Sequence, residues 1–274
     1  MNKRLGKLEY NETKKLFTVF TVILVVYQII CIILGLISRN TSSEIPSDTI
    51  VIITICSALG IIMCSIIMIK RFYNILFSAE GSIRLAMPVK NSEHQKVNIK
   101  TALIWIYIMF AIFIIGIGLT EVTSGERIYG VANTYRNYIE SYTVMDRLPA
   151  PALKAVITIV FDVLTMMVII ATLYISCIFA VTIASRISGR FNILQKNGVL
   201  FIVVVVLYNI KALFLNNLYH IFNYVVNRVN RSPVPLSMYA FQLILDISCV
   251  IVYGLSAIAM YRIGRSILNK KLDI

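Results

Sequence analysis

The chain has 274 residues, of which 58% are hydrophobic and 14% charged, and its formal net charge is +13. A soluble domain holds about 45–50% apolar and about 25% charged residues, so a water-soluble globular enzyme is excluded, and so much apolar side chain excludes disorder as well. What remains is a polytopic membrane protein, expected to be all-α if its apolar runs are long enough to cross as helices.

A helix needs about 20 apolar residues to cross roughly 30 Å of hydrocarbon. Six segments meet that requirement: Leu16–Ser38, Thr49–Ile69, Thr101–Thr120, Ala152–Ala184, Val199–Leu218 and Leu236–Ile263. Together they predict a six-transmembrane-helix bundle forming one domain over 1–274. The first run is too long for the apolar region of a signal peptide and is followed by no small-x-small cleavage site, so it reads as a retained span. The fourth exceeds the length of a span and is expected to tilt or to project past the membrane surface. The five cysteines (Cys31, Cys56, Cys64, Cys177 and Cys249) all lie inside apolar runs, without a CxxC pair or clustered histidines, and read as small buried hydrophobes.

Six spans place both termini on one side, together with the loops 70–100 and 185–198. Those pieces, with Arg262 at the inner edge of span six, carry 18 of the 26 Lys and Arg residues, whereas the three opposite loops, with Lys154 at the outer edge of span four, carry seven. The positive-inside rule makes the lysine-rich side cytoplasmic. With the acidic residues counted, the two faces hold about +13 and about +1, so the net charge belongs almost wholly to one face. Nucleic-acid binding is the weaker reading, since no basic stretch interleaves with aromatics on a soluble domain.

Two connections are too long to be turns. On the outer side, Tyr135, Tyr138, Ile139 and Tyr142 follow the i, i+3, i+4, i+7 spacing of one helical face within Glu121–Pro151. They predict a helix that lies on the bilayer or caps the bundle. On the inner side, Phe72, Ile75 and Leu76 form a short apolar face that continues the second span past Lys70 and Arg71. Gly81 suits the left-handed end of such a helix, and Pro88 forces an extended turn before a polar stretch that reaches Lys100. This loop reads either as a solvated connection with lipid-facing lysines or as an element presented to a cytoplasmic partner.

Phe77, Glu80-Gly81, Met87-Pro88-Val89-Lys90, Lys100 and Ile104-Trp105 make Phe72–Trp105 resemble the corresponding loop of permease subunits of type-2 ATP-binding-cassette exporters from Gram-positive bacteria. The six-span layout and the basic tail Lys270-Lys271 fit the same family, while Ser82 and Arg84 depart from its pattern. The resemblance implies that Arg71, Phe72, Ile75, Leu76, Phe77, Glu80, Gly81 and Pro88 couple the chain to an ATPase subunit. It also implies a second permease copy or a related permease as partner, and export of an amphipathic or hydrophobic peptide, antibiotic or lipid across the cell membrane. None of the 12 glycines belongs to a GxxxxGK[ST] phosphate loop. The chain is therefore not expected to be an enzyme or to hold a cofactor, and ATP would be bound by the partner.

Ionisable groups within spans are costly and mark function or packing. Asp162, Lys211 and Asp246 are three such groups. Counted at about 1.5 Å per residue from the span ends, all three fall at similar depth in the outer half of spans four, five and six. Lys211 is expected to pair with Asp162, Asp246 or both, either as a structural salt bridge or in contact with substrate. Neutralising Lys211 alone should then lower the melting temperature more than removing the charges together, because a lone buried charge is left behind. The same trio would suit a stand-alone ion-coupled carrier, the alternative to the exporter. An intramembrane protease using Ser256 and His220 is rejected, because Ser256 lies near the cytoplasmic edge and His220 beyond the opposite end of its span.

Overall fold

The computed structural model describes residues 2–40, 45–77, 91–125, 151–187 and 238–270. Within them the chain is helical and contains no strand. Five helices are long and apolar enough to cross a membrane: α1 (Asn2–Asn40), α2 (Ile45–Phe77), α3 (Asn91–Ser124), α4 (Pro151–Ile187) and α5 (Met238–Lys270). They correspond to predicted spans one, two, three, four and six. The fifth predicted span, Val199–Leu218, lies outside the described residues, as do Tyr135, Tyr138, Ile139 and Tyr142 of the outer loop.

Each helix is longer than its apolar run, and local chemistry explains the ends. Pro46 and Pro151 sit in the first turns of α2 and α4, where no N–H partner is required, and Asp48 and Glu93 place negative charge at the positive ends of α2 and α3. Arg39 does the converse in the last turn of α1. Gly125 ends α3 with φ of 68°, its N–H reaching the Val122 carbonyl at 3.4 Å, a left-handed close that a side chain would strain. The basic N-terminal stretch, expected as a tail, is the first part of α1. Likewise, the polar stretch before Lys100 is the first part of α3, not a loop.

No more than 39% of the most apolar stretch of any of the five helices is buried within the chain. Large residues such as Val19, Ile52, Ile115, Val122 and Leu255 are more than half exposed. In water such a surface would aggregate; in a bilayer it is the lipid-facing side.

The chain divides into two compact units, one of Met1–Phe72 with Glu93–Tyr138, the other of Tyr73–Ser92 with Ile139–Ile274. In the first unit, α1 buries a stripe of Leu5, Glu9, Thr13, Phe17, Leu24, Gln28, Cys31, Gly35 and Ser38, spaced at three or four residues (twice that between Phe17 and Leu24) over its whole length. This is the helical repeat, but the inner stripe is mixed and the outer face apolar. Small residues let α1 and α3 approach closely. A Cβ on Gly35 would lie 2.7 Å from Thr123 Oγ1 and 3.2 Å from the Thr120 carbonyl oxygen, and one on Gly116 would overlap the Gln28 side chain. Thr123 also donates to the Ile32 carbonyl across the contact at 3.4 Å. In the second unit, α4 packs on α5, and the buried Thr172 hydroxyl donates to the Tyr253 carbonyl at 3.2 Å.

Candidate functional site

The residues assigned to coupling begin where the apolar run of α2 stops. As the Phe72-Ile75-Leu76 spacing predicted, the helix continues without a break to Phe77. Phe72 and Ile75 are buried, Leu76 and Phe77 are half-buried, and the Phe77 ring stacks on Tyr73 with centroids 4.4 Å apart. Glu80, Gly81 and Pro88 lie outside the described residues.

Arg71 is held inside the first unit. Its Nε donates to Glu9 Oε2 at 3.1 Å, its Nη2 lies 3.0 Å from the same oxygen, and Nη2 also donates to Glu12. Glu9 is 3% exposed, while Arg71 and Glu12 keep partial access to water. Two carboxylates one turn apart on α1 thus grip one guanidinium at the end of α2. A fork of fixed N–H groups suits this better than an ammonium would.

Next to this grip stands the chain's single tryptophan. Tyr10 and Phe17, two turns apart on α1, both stack with the Trp105 indole of α3 at 5.5 and 5.6 Å, with interplanar angles of 7° and 19°. The arrangement fixes α1 against α3 through flat apolar area and ring electrostatics. Sequence reasoning identified Arg71 and Trp105 but not the partners Glu9, Glu12, Tyr10 and Phe17. The available signal was the four-residue spacing Leu5, Glu9, Thr13, Phe17, which makes the N-terminal stretch a helix with one inward face.

In the second unit, Asp246 is 7% exposed on α5 and Asp162 is half-buried on α4. Asp162 lies ten residues before Thr172 and Asp246 seven before Tyr253, the two residues that meet between these helices. Lys211 lies outside the described residues. The Ser256 hydroxyl donates to the Tyr253 carbonyl at 2.8 Å, a helix-internal use and not that of a nucleophile. All five cysteines are free thiols. Among the described residues, no group of His, Cys, Asp and Glu is placed to hold a metal ion. Comparison with known proteins found no matching family model, curated protein or solved structure.

Proposed function

We propose that this chain is the permease subunit of an ATP-binding-cassette exporter, a six-span bundle in the cell membrane with both termini cytoplasmic. It pairs with itself or a related permease and is driven by ATPase subunits that dock on the segment from Arg71 to Pro88. The observation that carries this reading is the sequence of that segment, with its helical start past the apolar run of α2. The chain lacks a phosphate loop of its own, which agrees with hydrolysis on another subunit. Its cargo is amphipathic or hydrophobic, and the chain moves it by changing conformation without covalent chemistry.

The test is co-expression with any ATPase subunit that its neighbouring genes encode, followed by affinity purification of the permease. The ATPase should co-purify with the wild type, and Leu76→Asp with Phe77→Asp should reduce its retention at least tenfold while the permease is still extracted as a folded species. Transport that persists without ATP or an ATPase subunit overturns the proposal. It would favour instead an ion-coupled carrier, a reading supported by the buried carboxyl of Asp246.

A further inference from the structure

We propose that the cytoplasmic end of the first unit is a binding belt for anionic phospholipid headgroups, built by Lys14 and Lys15 of α1, Lys70 of α2 and Lys100 of α3. All four side chains are exposed.

Their common level follows from the contacts between the helices. α3 runs parallel to α1, since the pairs Tyr10/Phe17–Trp105, Gln28–Gly116 and Gly35–Thr123 advance in step along both. α2 runs antiparallel to α1, since Cys31 is hydrogen-bonded to Thr54 while Glu9 and Glu12 hold Arg71. In that register Lys70 is level with Lys14. Lys100, five residues before Trp105, is level with the Glu9–Thr13 turn. Lys14 and Lys15 immediately precede the apolar run that opens at Leu16, and Lys70 immediately follows the one that closes at Ile69. The four ammonium groups therefore occupy a band a few ångströms deep at the edge of the hydrocarbon, which is where lipid phosphates lie. The headgroup layer is about 5–8 Å thick on each side.

The charge balance in this band supports the assignment. Its carboxylates, Glu9 and Glu12, are both drawn onto Arg71, and Glu9 is almost fully buried. Among the described residues of the first unit, five cations thus face two anions in this band, and the two anions are turned inward. The exposed rim is left to lysine, a compact point charge suited to phosphate oxygens. Lys7 and Lys96 are exposed as well, but in the same register they stand about 12 Å beyond the edge of the apolar run, outside the headgroup layer. Glu93 lies further out still. A lipid site predicts that level matters, whereas diffuse attraction depends only on total charge.

The full chain is reconstituted in vesicles of mixed phosphatidylglycerol and phosphatidylcholine and extracted in mild detergent, and the retained lipids are quantified. Wild type should retain phosphatidylglycerol in preference to phosphatidylcholine. A lysine near the surface strengthens anionic-lipid binding about fivefold, so Lys14→Gln with Lys70→Gln should lower that preference tenfold or more. Lys7→Gln with Lys96→Gln removes the same charge beyond a Debye length of about 8 Å and should change it less than about twofold. Equal losses in the two double variants overturn the proposal, and so does a wild type without preference. If the Lys14/Lys70 variant is not recovered folded, Lys15→Gln with Lys100→Gln decides. A loss of preference well beyond that of the Lys7/Lys96 variant supports the belt, and a loss equal to it overturns it.

Discussion

Arg71→Ala should be among the most damaging single substitutions in the first unit. It leaves Glu9, 3% exposed, and Glu12 one turn away with their shared guanidinium gone and like charges facing each other. Removing one member of a fully buried pair costs about 3–5 kcal/mol, whereas an exposed pair is worth about 1 kcal/mol or less. With Arg71 partly open to water, about 2–3 kcal/mol is expected. Rescue is the diagnostic result. Adding Glu9→Gln and Glu12→Gln to Arg71→Met should restore most of the loss, because no unmatched charge remains. Trp105 reports the event directly, since it is the only tryptophan and stacks with two rings of the helix that carries both glutamates. Its emission should shift in Arg71→Ala and return in the triple variant. An Arg71→Ala protein that melts and fluoresces like wild type would show that the grip contributes nothing.

The second large effect is expected at the other end of α1, where it meets α3. Gly35→Val pushes methyl groups into Thr123 Oγ1 and the Thr120 carbonyl, and the carbonyl belongs to helix backbone that cannot step aside alone. Overpacking of this kind costs about 1–3 kcal/mol, and the upper part of that range applies where backbone must move. Gly116→Leu meets the buried Gln28 side chain and should behave similarly. Gly60→Ala and Gly254→Ala are the controls, for a Cβ at either meets nothing within 4 Å. Those two should melt within about 1 °C of wild type or slightly above it, since alanine favours the helix. Thermal unfolding in detergent separates the cases, and a Gly35→Val chain as stable as Gly60→Ala would sink the close-approach account.

Length and apolarity made five of the helices legible at once, and the spacing of Phe72, Ile75 and Leu76 gave the continuation of α2. The helical character of Asn2–Lys15 and Asn91–Lys100 was not legible, for a physical reason. Sequence patterns are ordinarily read as apolar inward and polar outward. Here the outward face of α1 carries Val19, Ile23, Val26 and Ile30, while its inward stripe includes Glu9, Thr13, Gln28 and Ser38. A membrane helix packs its small and polar residues against its neighbours because lipid takes the apolar ones. The same inversion marks α3, which buries Ser92, Gln95, Asn98 and Thr101. The candidate site was legible in part: Arg71 stood out as a cation at a span end, but its partners are 62 and 59 residues away in sequence and entered only as two acids in a charge count. Which acid meets which base is decided by the register of α1 on α2, a tertiary fact that no local pattern carries.

α1 runs from Asn2 to Asn40 as one helix with no proline inside it, a rod of about 58 Å. Near one tip, at Gly35, it lies too close to α3 to leave room for a Cβ, and that contact would serve as a fulcrum if the rod tilted. Glu9 lies 26 residues away, an arm of roughly 39 Å, and a tilt of about 10° about Gly35 would sweep it through about 7 Å. The distance is more than a full helical pitch, far beyond what the grip on Arg71 can stretch. A shallow rocking about Gly35 would thereby be magnified into loss of the grip on Arg71 at the far end of α1.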